Sequence, residues 1–140
     1  MKIIKDPIAI IEINNLPWPP SVNHLYGLNR KYGTRYLSQK GRDYHLLVRH
    51  RVNDQVSWSK RPLTQRLHLD IYCYPPDDWR RRDLDNILKV MLDSLEHCKV
   101  FEDDGQIDRM LVERRTPQAH ARVDIRIKEY PKLRLTKRIK

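Results

Sequence analysis

The run Arg80-Arg81-Arg82-Asp83-Leu84-Asp85-Asn86, with Lys89 three residues further on, sets three cations directly against two carboxylates. Guanidinium groups attract phosphate, and carboxylate oxygens are the hard ligands that magnesium takes, so phosphate and metal could meet here. A second acidic pair, Asp103-Asp104, lies in a turn closed by Gly105. Asp83, Asp85 and Asp104 on one ion would leave positions for water and phosphate oxygens, the arrangement that phosphodiester hydrolysis uses. Plainer readings stand beside this one. Asp83 could be a helix cap, Asp85 with Lys89 a surface ion pair, and Asp103-Asp104 a solvated turn.

Spacing constrains the elements that must hold these residues. Within a regular helix Asp83 and Asp85 point about 200° apart, so both reach one ion only if Asp83 lies just outside the helix, at the N-cap. Leu84, Leu88, Met91, Leu92 and Leu95 recur at three- and four-residue steps, which predicts a helix from Leu84 to about Lys99 with that stripe on a sheet. Asp85 then points away from the stripe, with Lys89 its neighbour one turn later. A helix packed on a sheet can return the chain, so the Asp103-Asp104 turn can come back to the first acidic pair.

The rest of the chain supplies that sheet. Residues 8 to 16 are isoleucine-rich and stop at Pro17-Trp18-Pro19-Pro20, a strand entering a stiff loop over 21 to 37. Ser38 can cap a helix from about 39 to 53, with Tyr44, Leu47 and Val48 on one face. Leu67, Leu69, Ile71 and Cys73 alternate with Arg66, His68, Asp70 and Tyr72 in the clearest strand, stopped by Pro75-Pro76. A strand is expected over 107 to 115, and Val123, Ile125 and Ile127 alternate in another, the two forming a terminal hairpin. The order β-α-β-α-β-β predicts an α+β fold, one small domain over 1–140, with helices on one face of a sheet.

Net charge is +10, from 28 Lys and Arg against 18 Asp and Glu, a field that attracts polyanions. The segment from Tyr26 to Tyr36 interleaves Arg30, Lys31 and Arg35 with tyrosines and glycines, suited to phosphate contacts and stacking, or equally to a solvated loop. The basic stretch 132 to 140 reads as a DNA clamp or a solubilising tail. With 39% apolar and 33% charged residues and no run near 20 apolar residues, a soluble, non-membrane, cytoplasmic protein is expected. Cys73 and Cys98 form no ligand pair, the six histidines show no metal-ligand spacing, and no Gly-rich nucleotide loop is present, so neither zinc nor a nucleotide cofactor is expected. A non-catalytic DNA-binding protein is the main rival to a nuclease. A helix-turn-helix regulator is disfavoured by the strand alternation.

Taken in order, Leu16-Pro17-Trp18-Pro19-Pro20-Ser21-Val22-Asn23, Ser38-x-x-Gly41-x-x-Tyr44, Arg81-Arg82-Asp83-Leu84-Asp85-Asn86-x-x-Lys89 and Asp103-Asp104-x-Gln106 resemble the RusA-type Holliday-junction resolvases of bacteria and their prophages. The resemblance implies an α/β homodimer that nicks four-way branched DNA symmetrically with magnesium or manganese. It makes Asp83, Asp85 and Asp104 the metal-binding catalytic aspartates and Lys89 the active-site lysine. From their charge, Arg80, Arg81 and Arg82 are expected to guide the DNA backbone. The residues before Leu16 and the basic tail 131–140 depart from the family pattern.

Overall fold

The computed structural model describes residues 8–21, 26–29 and 31–131; the side chains of Tyr26 and Asn29 are not among those described. The elements are β1 (Ala9–Pro17), β2 (Tyr26–Asn29), β3 (Thr34–Leu37), α1 (Gln39–Gln55), β4 (Leu67–Tyr74), α2 (Asp85–His97), β5 (Ile107–Arg114) and β6 (Arg122–Glu129). The expected order holds, with one addition. The expected loop over 21 to 37 contains a two-stranded hairpin, β2 against β3, in which Gly27 pairs with Tyr36. A Cβ at Gly27 would meet the Tyr36 ring, so any other residue there requires that exposed ring to move. Gly33, at φ +65°, lies in the turn that reverses the chain.

The main sheet has the order β1-β6-β4-β5. β6 is antiparallel to both β1 and β4, whereas β5 runs parallel to β4. The expected β5–β6 hairpin is therefore absent: β4 lies between the two strands and pairs with each. Parallel neighbours cannot be joined by a tight turn, and α2 with the turn after it makes the crossover from β4 to β5.

Inward residues of three strands form one buried layer: Ile11, Ile13 and Leu16 of β1; Leu67, Leu69, Ile71 and Cys73 of β4; Val123, Ile125 and Ile127 of β6. One extra residue in β1 between Ile13 and Leu16 makes a bulge against β6 that keeps both side chains inward. Asn15, in the bulge at φ 63°, donates its amide to Asp124 Oδ1 at 2.8 Å.

Helix α1 begins where expected, with the Ser38 hydroxyl accepting from the Gly41 amide at 3.1 Å. It buries Tyr44, Val48 and Val52, whereas Leu47, expected on that face, is half exposed. Gln55 fastens the far end of the helix to β1 by accepting from the Asn14 amide and donating to the Asn14 carbonyl, at 2.7 and 2.8 Å. On α2 the buried residues are Ile87, Val90, Met91, Ser94 and Leu95, Ser94 meeting His45 of α1 at 2.7 Å, and the expected Leu84/Leu88/Leu92 row sits at the margin, partly buried. The apolar arc is wider than one row, and its centre packs.

The opposite face of the sheet carries charge. Asp70 accepts from Lys128 at 2.9 Å and pairs with His68 at 2.7 Å, all three largely buried by one another. Burial disfavours the Asp70 charge, but the Lys128 and His68 hydrogen bonds outweigh it and hold the carboxyl below its ordinary range. Among the described residues no helix covers this face, and none is long and apolar enough to cross a membrane.

Candidate active site

Strand β4 ends at Pro75-Pro76, where proline removes the amides that would extend the ladder. The loop that follows is braced by Asp78. Its carboxylate accepts from both terminal nitrogens of Arg82 at 2.6 Å and from the Arg80 amide at 3.1 Å. The Arg82 guanidinium holds the Asp78 carboxyl well down, at about 2. Arg114 of β5 adds a hydrogen bond to the Arg82 carbonyl at 2.6 Å. Arg82 is thus occupied in shaping the loop, while Arg80 and Arg81 are exposed and available to a phosphate backbone.

Asp83 and Asp85 follow, both exposed. Asp83 lies outside the helix as expected, but it is not the N-cap: Leu84 occupies that position, and the Asp83 carbonyl accepts from the Asn86 amide at 3.3 Å. Its carboxylate is therefore not spent on capping. Asp85 sits in the first turn, where the helix dipole favours an anion. A cleft beside Asp83 is lined on one side by Arg80 to Asp83 and Asn86, and on the other by Trp18, Pro19 and Pro20 of the stiff loop after β1.

Lys89 lies on the same polar row of α2 as Asp85, Asp93 and Glu96. Its ammonium pairs with Asp93 at 3.3 Å, a turn further along the helix than Asp85. The row ends at Glu96, whose Oε1 accepts from the Asp104 amide at 3.0 Å. Carboxylate oxygens of Glu96, Asp103 and Asp104 all lie within 4.8 Å of one another, the one group of three potential metal ligands among the described residues. Asp103 is held below its ordinary range, first by the Gly105 amide and then by Asp104. Asp104 is pushed up by sharing a hydrogen bond with Asp103, by burial and by the Glu96 charge, with Lys89 pulling the other way.

This acidic corner is built by Gln106, buried beneath it. The Gln106 Oε1 accepts from the amides of Glu102 and Asp103 at 2.9 Å, and its Nε2 donates to the carbonyls of Leu63 at 2.9 Å and Gln65 at 3.0 Å. Asp103 completes a capping box with it over a short 3-10 turn, Asp104–Gln106.

One chain therefore presents two acidic ends of the same helix. Asp85 and Glu96 are eleven residues apart, about 16 Å along the axis at the rise of an α-helix. The structure groups Asp104 with Glu96 and Asp103, and Asp83 and Asp85 are not part of that group. Glu96 was missed from sequence, although it continues the Asp85, Lys89, Asp93 row at helical spacing. Lys31 and Arg35 are exposed near the tip and on the second strand of the hairpin, with the Lys31 ammonium 5.4 Å from the Tyr32 ring centre. Arg30, Val22, Asn23, the residues before Ile8 and the tail 132–140 lie outside the described residues.

The donor set is one of hard carboxylate oxygens, and the upward push on Asp104 marks a concentration of negative charge that a bound cation relieves. These residues fit a hard divalent cation.

Comparison with known proteins bears on the whole of this architecture. A family model described as endodeoxyribonuclease RusA matches residues 17–128. A crossover junction endodeoxyribonuclease rusA of Enterobacteria phage HK97 is 39% identical over 116 residues, covering 81% of this chain and 91% of that protein. One from Enterobacteria phage 82 is 37% identical over 92 residues, 66% of this chain and 72% of the relative. The Escherichia coli K12 protein is 36% identical over the same length and shares. The chain belongs to the endodeoxyribonuclease RusA family.

Proposed function

We propose that this chain is a magnesium-dependent endodeoxyribonuclease that resolves four-way DNA junctions by paired symmetric nicks, working as a homodimer in the bacterial cytoplasm. Manganese is expected to substitute for magnesium. The observation that carries the reading is the placement of the carboxylates in a chain of this family. Asp83 and Asp85 stand beside exposed arginines at one end of α2, and Asp104 stands with Glu96 at the other.

Asp85 and Glu96, about 16 Å apart along the helix axis, cannot ligate one ion within a chain, because metal–oxygen bonds are roughly 2 Å long, and Asp104 stands with Glu96. Two antiparallel copies of α2 remove the difficulty, since a two-fold axis brings the N-terminal end of one helix to the C-terminal end of the other. Each such pair makes two equivalent sites, matching the two-fold symmetry of paired nicks.

Arg80 and Arg81 hold the DNA backbone against the cleft, and Arg82 fixes the loop through Asp78. Asp83 and Asp85 from one copy face Asp104 from the other, with Glu96 supporting Asp104 through its amide. Lys89 lies within electrostatic reach of Asp104 and exchanges Asp93 for the phosphate, placing positive charge where negative charge develops. A divalent cation held by the aspartates supplies the Lewis acidity that hydrolysis of the phosphodiester requires.

The test is incubation of the protein with a labelled four-way junction and a matched linear duplex, each with magnesium and with chelator. Symmetric nicks confined to the junction and to magnesium support the proposal. Binding without cleavage in either condition overturns it in favour of a non-catalytic junction binder.

A further inference from the structure

Trp79 is fully exposed, with 103% of its reference surface open to solvent. An indole left wholly in water forgoes the burial that usually places tryptophan. Its backbone is also in the left-handed region, φ 63°, which is costly for a bulky residue. The loop nevertheless holds this conformation firmly: the Asp78 carboxylate, just before the ring, binds Arg82 and the Arg80 amide, just after it, and Arg114 secures the Arg82 carbonyl. The geometry therefore presents the ring outward from a braced support.

The surroundings indicate what the ring meets. Exposed Arg80 and Arg81 follow it, and the same loop runs on into Asp83 and the cleft beside it. An aromatic ring among phosphate-seeking cations is the composition of a surface that stacks on bases while it tracks a backbone. In an uninterrupted duplex each base pair is covered on both faces by its neighbours. Where strands branch, the last pairs of the arms can be unstacked and offer a free face. A stacking ring thus gains only at the branch.

We propose that Trp79 stacks on a base exposed at the branch point and so sets the preference for junctions over linear duplex. The proposal rests on the junction-cleaving function above. Base–aromatic stacking is strong enough for loss of the ring to weaken junction binding roughly 5- to 150-fold. Duplex binding, carried by the arginines, should stay within about twofold.

The experiment compares wild type with Trp79→Ala and Trp79→Phe on a four-way junction carrying 2-aminopurine at the branch, and on the matched duplex, in chelator so that nothing is cut. Affinity and 2-aminopurine fluorescence are read together, with thermal melting and sedimentation on each protein. The expected result is a junction-only loss of affinity and of the fluorescence change in Trp79→Ala, most of it recovered in Trp79→Phe, with unchanged melting and mass. Equal losses on junction and duplex, or no loss on either, overturn the proposal. A change of mass in Trp79→Ala also overturns it, by assigning the ring to contact between copies. If wild type shows no junction preference at all, the functional reading fails first and takes the proposal with it.

Discussion

Gln106→Leu removes four hydrogen bonds while keeping nearly the same volume, and its cost can be worked from the partners. The Leu63 carbonyl bond is buried, and its loss strands a carbonyl away from water, about 2 kcal/mol. The other three bonds are only partly buried, so water can replace them at about 0.5 kcal/mol each. The sum is about 3 to 4 kcal/mol, a large part of the total stability of a domain this size. The melting temperature should therefore fall by roughly 10 to 14 °C, read by calorimetry or circular dichroism. Junction cleavage well below that transition should fall as well, because the bonds lost at Glu102 and Asp103 are those that place Asp104. Gln106→Glu provides a sign check. Its carboxylate would face the Leu63 and Gln65 carbonyls with no proton to donate, so it should be destabilised most at pH 8 and recover in part near pH 5, where protonation restores a donor. A melting shift under 3 °C for Gln106→Leu would refute the claim that this side chain builds the acidic corner.

Three further outcomes follow from the same geometry. Asp83→Asn and Asp85→Asn should each abolish junction cleavage, at least a thousandfold, while junction affinity in chelator stays within about threefold; retained cleavage by either would remove that residue from the site. Asp70, held below its ordinary range, contributes stability that is present above the unfolded carboxylate pKa and lost as pH falls through its folded one. Asp70→Asn should therefore cost about 2 kcal/mol at pH 7 and progressively less as pH falls below the unfolded carboxylate pKa, read as denaturant midpoints, and a cost that does not fall with pH would contradict the Lys128 and His68 pairing. Burial pushes the Cys98 thiol up and the Cys73 thiol to about 11, so a thiol reagent at pH 7.5 should label neither until the protein is unfolded.

What could be read from sequence was set by local pattern. Alternation in β4 and β6 reflects one buried face each, and the polar face of α2 that carries Asp85 and Lys89 shows at helical spacing without any tertiary information. Strand pairing was less legible. β5 lies at the sheet edge with its residues mostly exposed, so its side chains record no partner, and its parallel pairing with β4 is decided by the α2 crossover rather than by a turn. The β2–β3 hairpin escaped because its strands are four residues each, too short for a period to emerge. The three aspartates stand out by residue type, but the proposed way they assemble depends on the length of α2, which sets Asp85 about 16 Å along the axis from Glu96, the residue beside Asp104.

That separation makes a mixing experiment the most direct test of the central claim. Asp83→Asn chains and Asp104→Asn chains, each inactive alone, are unfolded together, refolded and assayed on the labelled junction with magnesium. If each site takes Asp83 and Asp85 from one copy and Asp104 from the other, every mixed dimer keeps one intact site. About a quarter of wild-type sites should then return, as single nicks in place of paired ones. If all three aspartates act within one chain, no mixed dimer has an intact site and the mixture stays inactive, which would contradict the shared-site account.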